Sequence, residues 1–222
     1  MLTFLEQLSY HLEHHLPGEI AHIPLSPLGR GVSSEAIKKA KYVKESAVAV
    51  ILFKSNEELK CTLIQRPHYE GTHSGQISFP GGKKEPSDND LLITSMREAF
   101  EEIGVELKEE HLLGSLTSVY IPVSNFSVAP YVFYYPTVPS YIKDNFEVAE
   151  IVEININDLL HESVIKHTNI PISNGNTLKN IPYFDLENKI IWGATALILN
   201  ELRTTLFQLQ TLNESLPPNN PN

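Results

Sequence analysis

The chain has 222 residues, a length that suits one domain with extensions or two small domains. Its 27 acidic and 17 basic residues give a formal charge of −10, which argues against nonspecific nucleic-acid binding through a basic surface. Cys61 is the only cysteine, so an internal disulfide framework is excluded and a reducing compartment is indicated. No secretory signal and no run of ~18 apolar residues is visible, so we expect a cytoplasmic protein that does not enter a membrane.

Residues 1–35 are expected to form a helix and an arm that precede the main domain. Leucines at positions 2, 5, 8 and 12 fall on one helical face, which predicts an amphipathic helix over residues 2–14. The stretch 16–33 is rich in proline and glycine, which favours an extended arm. The helix also carries three histidines, for which a solvated face is the simpler interpretation and a metal site the alternative: His11, His14 and His15.

Residues 36–212 are expected to form one α/β domain, followed by a disordered, proline- and asparagine-rich tail over 213–222. Apolar and β-branched runs between polar turns predict strands, over residues 45–55, 59–66, 75–79, 112–120, 126–135 and 146–156, with a hairpin over 178–192. Pro130 within one of these runs indicates an edge strand or a bulge. Helices are predicted over 88–103 and 193–210, and this alternation of strands and helices favours a layered α/β fold.

The central helix carries three glutamates that repel one another. Glu98 faces both Glu101 and Glu102, and each like-charged pair costs roughly 0.2–0.5 kcal/mol. Gly104 is expected just past the helix end, so the glutamates also lie at the negative end of the helix dipole. A solvated acidic face is the ordinary explanation for such a run, whereas a bound cation would reverse both penalties.

A glycine-containing loop with the sequence FPGGKK, residues 79–84, precedes this helix. Gly81 and Gly82 let main-chain groups approach a ligand closely, and such a loop can present N–H donors to phosphate. A simple turn is the alternative interpretation. Because Mg²⁺ takes oxygen ligands, often one or two carboxylates plus substrate phosphates, the loop and the glutamates together predict a cation site for a phosphorylated substrate.

The run GGKKEPSDNDLLITSMREAFEEIGV, residues 81–105, resembles the Nudix box, whose general pattern is G-x5-E-x7-R-E-U-x-E-E-x-G-U with U an aliphatic residue. The second half of the pattern matches at seven positions: Arg97, Glu98, Ala99, Glu101, Glu102, Gly104 and Val105. The first half departs from the pattern. Counted from Gly82, Arg97 comes one residue late, and Asp88 stands where the early glutamate is expected, with Glu85 as another candidate.

The longer spacing is similar to that of the coenzyme A pyrophosphatase-like branch of the Nudix hydrolase family. The run LIQRPHYEGTHSGQISFPGG, residues 63–82, resembles the same branch through an arginine after a strand, a Gly-Gln pair and a Phe-Pro-Gly-Gly sequence. Segments 146–156 and 190–199 are also similar, so the resemblance covers roughly residues 40–205.

This resemblance implies a Nudix-type α/β/α sandwich with a mixed β-sheet between helices. It also implies Mg²⁺ or Mn²⁺ as cofactor, with Glu98 and Glu102 as ligands and Glu101 as a third ligand or as the base that accepts a proton from water. Substrate contacts are expected from five residues: Arg66, Gln76, Gly81, Gly82 and Lys83.

Several residues near this site can be interpreted in two ways. His73 contacts substrate or holds the loop, and Lys84 meets a phosphate or is simply solvated. Glu147 and Glu150 are predicted in a strand where other branches of the family recruit a further acid. Arg97 is expected to pair with a carboxylate of the box and hold the loop rather than touch substrate.

The leading hypothesis is metal-dependent hydrolysis of coenzyme A or its derivatives, which gives 3′,5′-ADP and 4′-phosphopantetheine. One alternative keeps the fold and changes the substrate to ADP-ribose, a dinucleotide or a nucleoside triphosphate. Another is a module that binds a nucleotide without cleaving it. The expected partner is a small, coenzyme A-like nucleotide, with no nucleic acid and no membrane. For the oligomeric state, a homodimer is one alternative.

Overall fold

The structure, a computed structural model, describes residues 3–27, 29–69, 73–172 and 175–215. Within these residues, an eight-stranded mixed sheet forms the centre of the fold. Its main path runs in the order β3 (Ile77–Ser78), β2 (Glu58–Gln65), β1 (Lys44–Ser55), β7 (Phe126–Tyr135) and β5 (Leu112–Ser115). Three short strands join this path: β4 (Gly81–Lys83) beside β1, β6 (Val119–Ile121) beside β7 and β8 (Glu150–Asn155) beside β2.

The sheet is mixed because β1 runs antiparallel to β2 and parallel to β7. The β1–β2 hairpin turns at Asn56 and Glu57, whose φ angles of 49° and 66° suit the two-residue turns that match strand twist. Side chains alternate across the sheet, so Ala49 and Ile51 enter one apolar cluster while Val50 enters the other. Both faces of β1 are therefore buried.

Helices cover both faces of the sheet. On one face, α3 (Leu91–Ile103) packs Ala99 and Ile103 into the cluster that contains Ile51. On the other face, α1 (Phe4–His14) and α5 (Gly193–Ser215) share a larger cluster with Val50. The arrangement is an α/β/α sandwich with a mixed sheet, so the predicted fold class is confirmed.

The N-terminal arm is folded onto α5 rather than extended. Residues Gly18–Leu25 form a 3-10 helix, and α2 (Ser33–Ile37) follows, so the prediction of an extended arm over 16–33 is wrong at these positions. Glu201 of α5 is fully buried and accepts hydrogen bonds from Gly18 N at 3.1 Å and from Thr117 Oγ1 at 2.6 Å. The division into residues 1–35 and 36–212 stays a prediction.

Pro130 lies inside the central strand β7, so its assignment to an edge strand is wrong. It pairs with Val48 of β1 on one side. On the other side the predicted strand 112–120 is divided into β5 and β6, and Leu116 N donates to Pro130 O at 2.9 Å between them. The missing N–H of the proline thus falls at the break between two partner strands.

The C-terminal part forms a second sheet among the described residues, with β9 (Ile165–Pro171), β10 (Thr177–Leu186) and β11 (Lys189–Ile191), and a short helix α4 (Ile156–Leu160) precedes it. Helix α5 continues to residue 215, so the predicted tail is helical at 213–215, and residues 216–222 lie outside the described residues. No helix in the described part of the chain is long and apolar enough to cross a membrane.

Candidate active site

Helix α3 carries the acidic residues into the site with both of its ends capped. Asp90 accepts a hydrogen bond from Ile93 N at 2.9 Å, so the helix begins at 91 and not at the predicted 88. Gly104 ends the helix with a φ of 70°, as predicted, and donates its N–H to Phe100 O at 2.9 Å.

The two glycines of β4 lie against the carboxylates of α3. Gly81 N donates to Glu102 Oε2 at 2.8 Å. A Cβ added to Gly82 would stand 2.4 Å from Glu98 Oε1, and one added to Gly81 would stand 2.4 Å from Ala47 O. Glycine is therefore required at position 81, where the closest atoms belong to the backbone of β1, whereas a side chain at position 82 would displace the carboxylate of Glu98.

Three carboxylates converge at this point: Glu98, Glu102 and Glu147 have oxygen atoms within 4.8 Å of one another. The Glu102 side chain is 1% exposed and that of Glu98 is 13% exposed. Within the described residues this is the one group of three or more acids, histidines or cysteines that is close enough to hold a metal ion, and the histidines of α1 do not form another.

Glu147 reaches the group because its segment docks on the end of α3. Ile142 N donates to Ile103 O at 2.9 Å, and Asp144 N donates to Glu102 O at 2.8 Å, so two terminal helix carbonyls are satisfied. Glu147 lies in a turn before β8 and not in the predicted strand. Glu150, the other acid considered, begins β8 and pairs with Lys189 at 2.6 Å.

Glu101 lies outside the three-carboxylate group. Its side chain is 55% exposed, and its Oε2 accepts from Arg97 Nη1 at 2.7 Å. The structure therefore brings Glu147, and not Glu101, together with Glu98 and Glu102. Glu98 and Glu102 lie against the two glycines of β4, whereas Glu101 is held by Arg97.

Arg97 holds the loop between β4 and α3. Its Nε and Nη2 donate to the two carboxylate oxygens of Asp88 at 3.0 Å each, and Nη2 also donates to Lys83 O at 3.1 Å. The hydrogen bonds from Arg97 lower the pKa of Asp88 to about 2. Asp88 thus takes the place of the early acid, while Glu85 contributes only its N–H to Asp88 Oδ2 at 2.9 Å.

Burial raises the pKa of Glu102 to about 8. The Gly81 N–H and the charge of Arg66 act in the opposite direction, whereas Glu98 and Glu147 add to the increase. Burial likewise raises the pKa of Glu98. A buried carboxylate without an adjacent full countercharge is costly, and Arg66 Nη1 approaches Glu102 Oε1 only to 3.9 Å. Arg97 Nη1 lies 3.0 Å from Glu98 Oε1, but it also pairs with Asp88 and Glu101, so the three carboxylates keep an excess of negative charge, and these oxygen donors fit a divalent cation.

The residues expected to bind substrate differ in what they contact. Arg66 faces the acidic group, and its buried Nε hydrogen-bonds to no described residue. Gln76 Oε1 accepts a hydrogen bond from His73 Nδ1 at 2.9 Å, so this pair holds the loop. Lys83 is exposed, and Lys84 lies 3.9 Å from a carboxylate oxygen of Glu45.

Comparison with known proteins identifies the family. The profile of the NUDIX domain matches residues 43–170. Proteins called "Uncharacterized Nudix hydrolase NudL" from Yersinia pestis (strain Pestoides F) and Yersinia pseudotuberculosis serotype O:1b (strain IP 31758) are each 34% identical over 141 residues, which cover 63% of this chain and 69% of theirs. A MutT/nudix family protein from Enterococcus faecalis aligns with a TM-score of 0.51 at 14% identity, over 95% of this chain and 76% of its own, which supports the fold alone.

The fold and the acidic site define a pyrophosphohydrolase, an enzyme that acts on phosphorus-containing anhydrides. The chain belongs to the Nudix hydrolase family, whose members use divalent metal ions.

Proposed function

We propose that this Nudix hydrolase cleaves the diphosphate linkage of coenzyme A or its derivatives and releases 3′,5′-ADP and 4′-phosphopantetheine. The hydrolytic part rests on the convergence of Glu98, Glu102 and Glu147 beside the glycines of β4. The substrate part is supported by the sequence run 63–82 and by the longer spacing from Gly82 to Arg97, both similar to the coenzyme A pyrophosphatase-like branch.

Mg²⁺ or Mn²⁺ would be held by Glu98 and Glu102, with the exposed carboxylate of Glu147 beside them. When bound, the ion supplies positive charge against the diphosphate and a more acidic water molecule. The protein needs that charge, because a chain with a net charge of −10 and a buried carboxylate at the site would otherwise repel the substrate.

Arg66 orients the diphosphate. Its side chain is 30% exposed and its Nη1 lies 3.9 Å from Glu102 Oε1, so its terminal N–H donors are proposed to bind phosphate oxygens beside the acidic group. Gly81 and Gly82 let the substrate approach the main chain of β4. Exposed Lys83 is proposed to meet the 3′-phosphate that distinguishes coenzyme A from most other diphosphate substrates.

Proton acceptance from the attacking water is assigned to Glu147 in preference to Glu101. Glu101 is already engaged by Arg97, whose Nη1 donates to its Oε2 at 2.7 Å, and it lies outside the three-carboxylate group. Glu147 is an exposed member of the group beside Glu98 and Glu102, where water can reach it. Glu101 then acts through Arg97, as part of the clamp on the loop.

Product masses released from coenzyme A test this proposal, with Mg²⁺, with Mn²⁺ and with chelator. We expect 3′,5′-ADP and 4′-phosphopantetheine with either ion and neither product with chelator. Coenzyme A without its 3′-phosphate serves as the matched substrate and is expected to react more slowly. Equal turnover of the two substrates would remove the role of Lys83, and cleavage of ADP-ribose or a dinucleotide without cleavage of coenzyme A would overturn the substrate assignment.

A further inference from the structure

A cavity of about 610 Å³ lies between the segment 29–42, which leads into β1, and the residues of β6 and the turn after it. None of its lining residues belongs to the carboxylate group. Its volume is within the range of small-molecule sites, roughly 300–1,000 Å³. Ten of its thirteen lining residues precede residue 43, where the NUDIX match begins. The cavity is therefore built mainly by the arm and α2, and not by the elements that carry the Nudix box.

The lining of this cavity is basic although the whole chain is acidic. It includes Arg30, Lys39 and Lys41 against one carboxylate, Glu35, so three positive and one negative charge give a balance of +2. None of the three basic side chains forms an ion pair within the described residues. In a chain of net charge −10, this local excess is available to an anion.

Arg30 is fixed in the wall of the cavity with part of its donor set unused. Its Nη2 donates to Tyr120 O at 2.7 Å, and its other guanidinium nitrogens hydrogen-bond to no described residue. The side chain is half-buried, and this burial lowers the pKa of the guanidinium. A phosphate group accepts two parallel N–H bonds from such a fork, and it would provide the countercharge that the protein does not supply.

Two aromatic residues form a preassembled wall beside these cations. Tyr120 donates its hydroxyl to Asn125 Oδ1 at 2.9 Å, and Asn125 Nδ2 donates to the hydroxyl of Tyr42 at 3.5 Å. Ser33 Oγ accepts from Tyr120 N at 3.0 Å and so joins α2 to β6. The Tyr42 side chain belongs to a residue that is 59% exposed, so its ring is open for stacking against a flat group.

We propose that this cavity binds a phosphorylated ligand of about mononucleotide size, at a site separate from the catalytic carboxylates. Its phosphate contacts Arg30, Lys39 and Lys41, and its ring stacks on Tyr42. The inference does not depend on which diphosphate the enzyme hydrolyses, because none of these residues belongs to the catalytic site.

Calorimetric titration of the full chain with adenosine 5′-monophosphate, in buffer without divalent ions, tests the site. Inorganic phosphate and adenosine, titrated separately, report the two halves of the ligand. The informative variant is Lys39→Glu with Lys41→Glu, since both side chains are exposed. The matched control is Lys38→Glu with Lys179→Glu, two exposed lysines outside the cavity that change the net charge equally.

We expect the nucleotide to bind the unchanged protein and the control, and to bind the Lys39→Glu/Lys41→Glu variant at least about tenfold more weakly, which corresponds to about 1.4 kcal/mol. Arg30→Lys, which keeps the charge and removes the planar fork, is expected to weaken binding with an unchanged melting temperature. Equal affinity in both double variants, or no heat at millimolar nucleotide, would overturn the proposal. Hydrolysis by the Lys39→Glu/Lys41→Glu variant is expected at the normal rate.

Discussion

The carboxylate group and the basic cavity both collect like charges, but they do so at different depths. Glu102 is 1% exposed and lies between two other carboxylates, whereas Lys39 and Lys41 are exposed at the rim of an open cavity. Water screens the lysines, so their repulsion costs little. The same screening does not reach Glu102, whose charge must be balanced by a proton or a cation.

This difference separates two kinds of site. In the metal-free protein the carboxylates of the acidic group repel one another. The protein should therefore become more stable when a cation binds. The basic side chains of the cavity are already solvated, so a ligand that binds there should relieve little repulsion and add little to the stability of the protein.

Glu102→Gln is expected to have the largest effect on catalysis. The substitution keeps the size of the side chain and removes one buried ligand oxygen charge, so turnover should fall roughly 10³-fold, as when a key electrostatic group is lost. Steady-state rates at saturating Mg²⁺ measure this, and circular dichroism checks the fold. A variant that keeps near-normal rates would contradict the placement of the cation at Glu102.

The stability of the metal-free protein should depend on pH through Glu102. Its pKa is about 8 in the folded chain and 4.5 when unperturbed. The folded state therefore holds a proton more tightly, so this contribution is full below about pH 4.5 and is lost as the pH rises through 8. The loss is at most on the order of 5 kcal/mol, since one pKa unit is about 1.4 kcal/mol.

Chemical denaturation in chelator at several pH values measures this loss. Glu102→Gln is the control, because its side chain does not titrate and its curve should be flatter and higher at pH 8. Saturating Mg²⁺ should also flatten the curve of the unchanged protein. Parallel curves for the variant and the unchanged protein would show that the charge of Glu102 is balanced in some other way.

Glu147→Gln and Glu101→Gln test which of two acids accepts the proton from water. We expect Glu147→Gln to lower turnover roughly 10²-fold, the lower end of what a general base contributes. Glu101→Gln removes a half-exposed ion pair with Arg97, worth about 1 kcal/mol or less, and should lower turnover less than about tenfold. Rates for both variants at saturating metal decide between them, and the reverse order would return the role to Glu101.

Gly82→Ala is expected to displace the carboxylate of Glu98 without breaking the strand pair. The new Cβ would stand 2.4 Å from Glu98 Oε1, the end of a flexible side chain that can move. A shift of about 1 Å in a positioned group can cost up to 10²-fold, so we expect a loss of between 10- and 10²-fold. In a Glu98→Gln background the same change should add little, and full additivity would show that Gly82 acts elsewhere.

The smallest effect is expected from Lys38→Glu with Lys179→Glu. Both residues are exposed and lie outside both sites, so turnover and melting temperature should stay close to those of the unchanged protein. A clear loss of activity would indicate that overall charge, rather than local geometry, controls substrate capture. In that case, the contrast between the two sites would lose its basis.

The acidic site could be found from sequence because its residues repeat with the period of one helix. Glu98 and Glu102 are four residues apart and share a face, and the adjacent glycines complete a recognisable pattern. The sequence could not rank Glu147, because its position depends on how the segment from 141 to 149 docks on the end of α3. That contact joins residues distant in the chain.

The folded arm and the basic cavity were hidden for a similar reason. Gly18–Leu25 is held by a buried carboxylate on α5, nearly the whole chain away, while its own composition favours an irregular path. Arg30 and Tyr42 are ordinary residues in a connection until β6 and the turn before β7 close the cavity around them. Tertiary contacts decide both features, and local patterns do not.

The most direct test of the catalytic account is a crystal of the protein soaked with Mn²⁺ and measured for anomalous scattering. The account predicts a peak bounded by the carboxylates of Glu98, Glu102 and Glu147, and its loss in Glu102→Gln. A soaked crystal with no peak among these three side chains, or an equal peak in the variant, would contradict it.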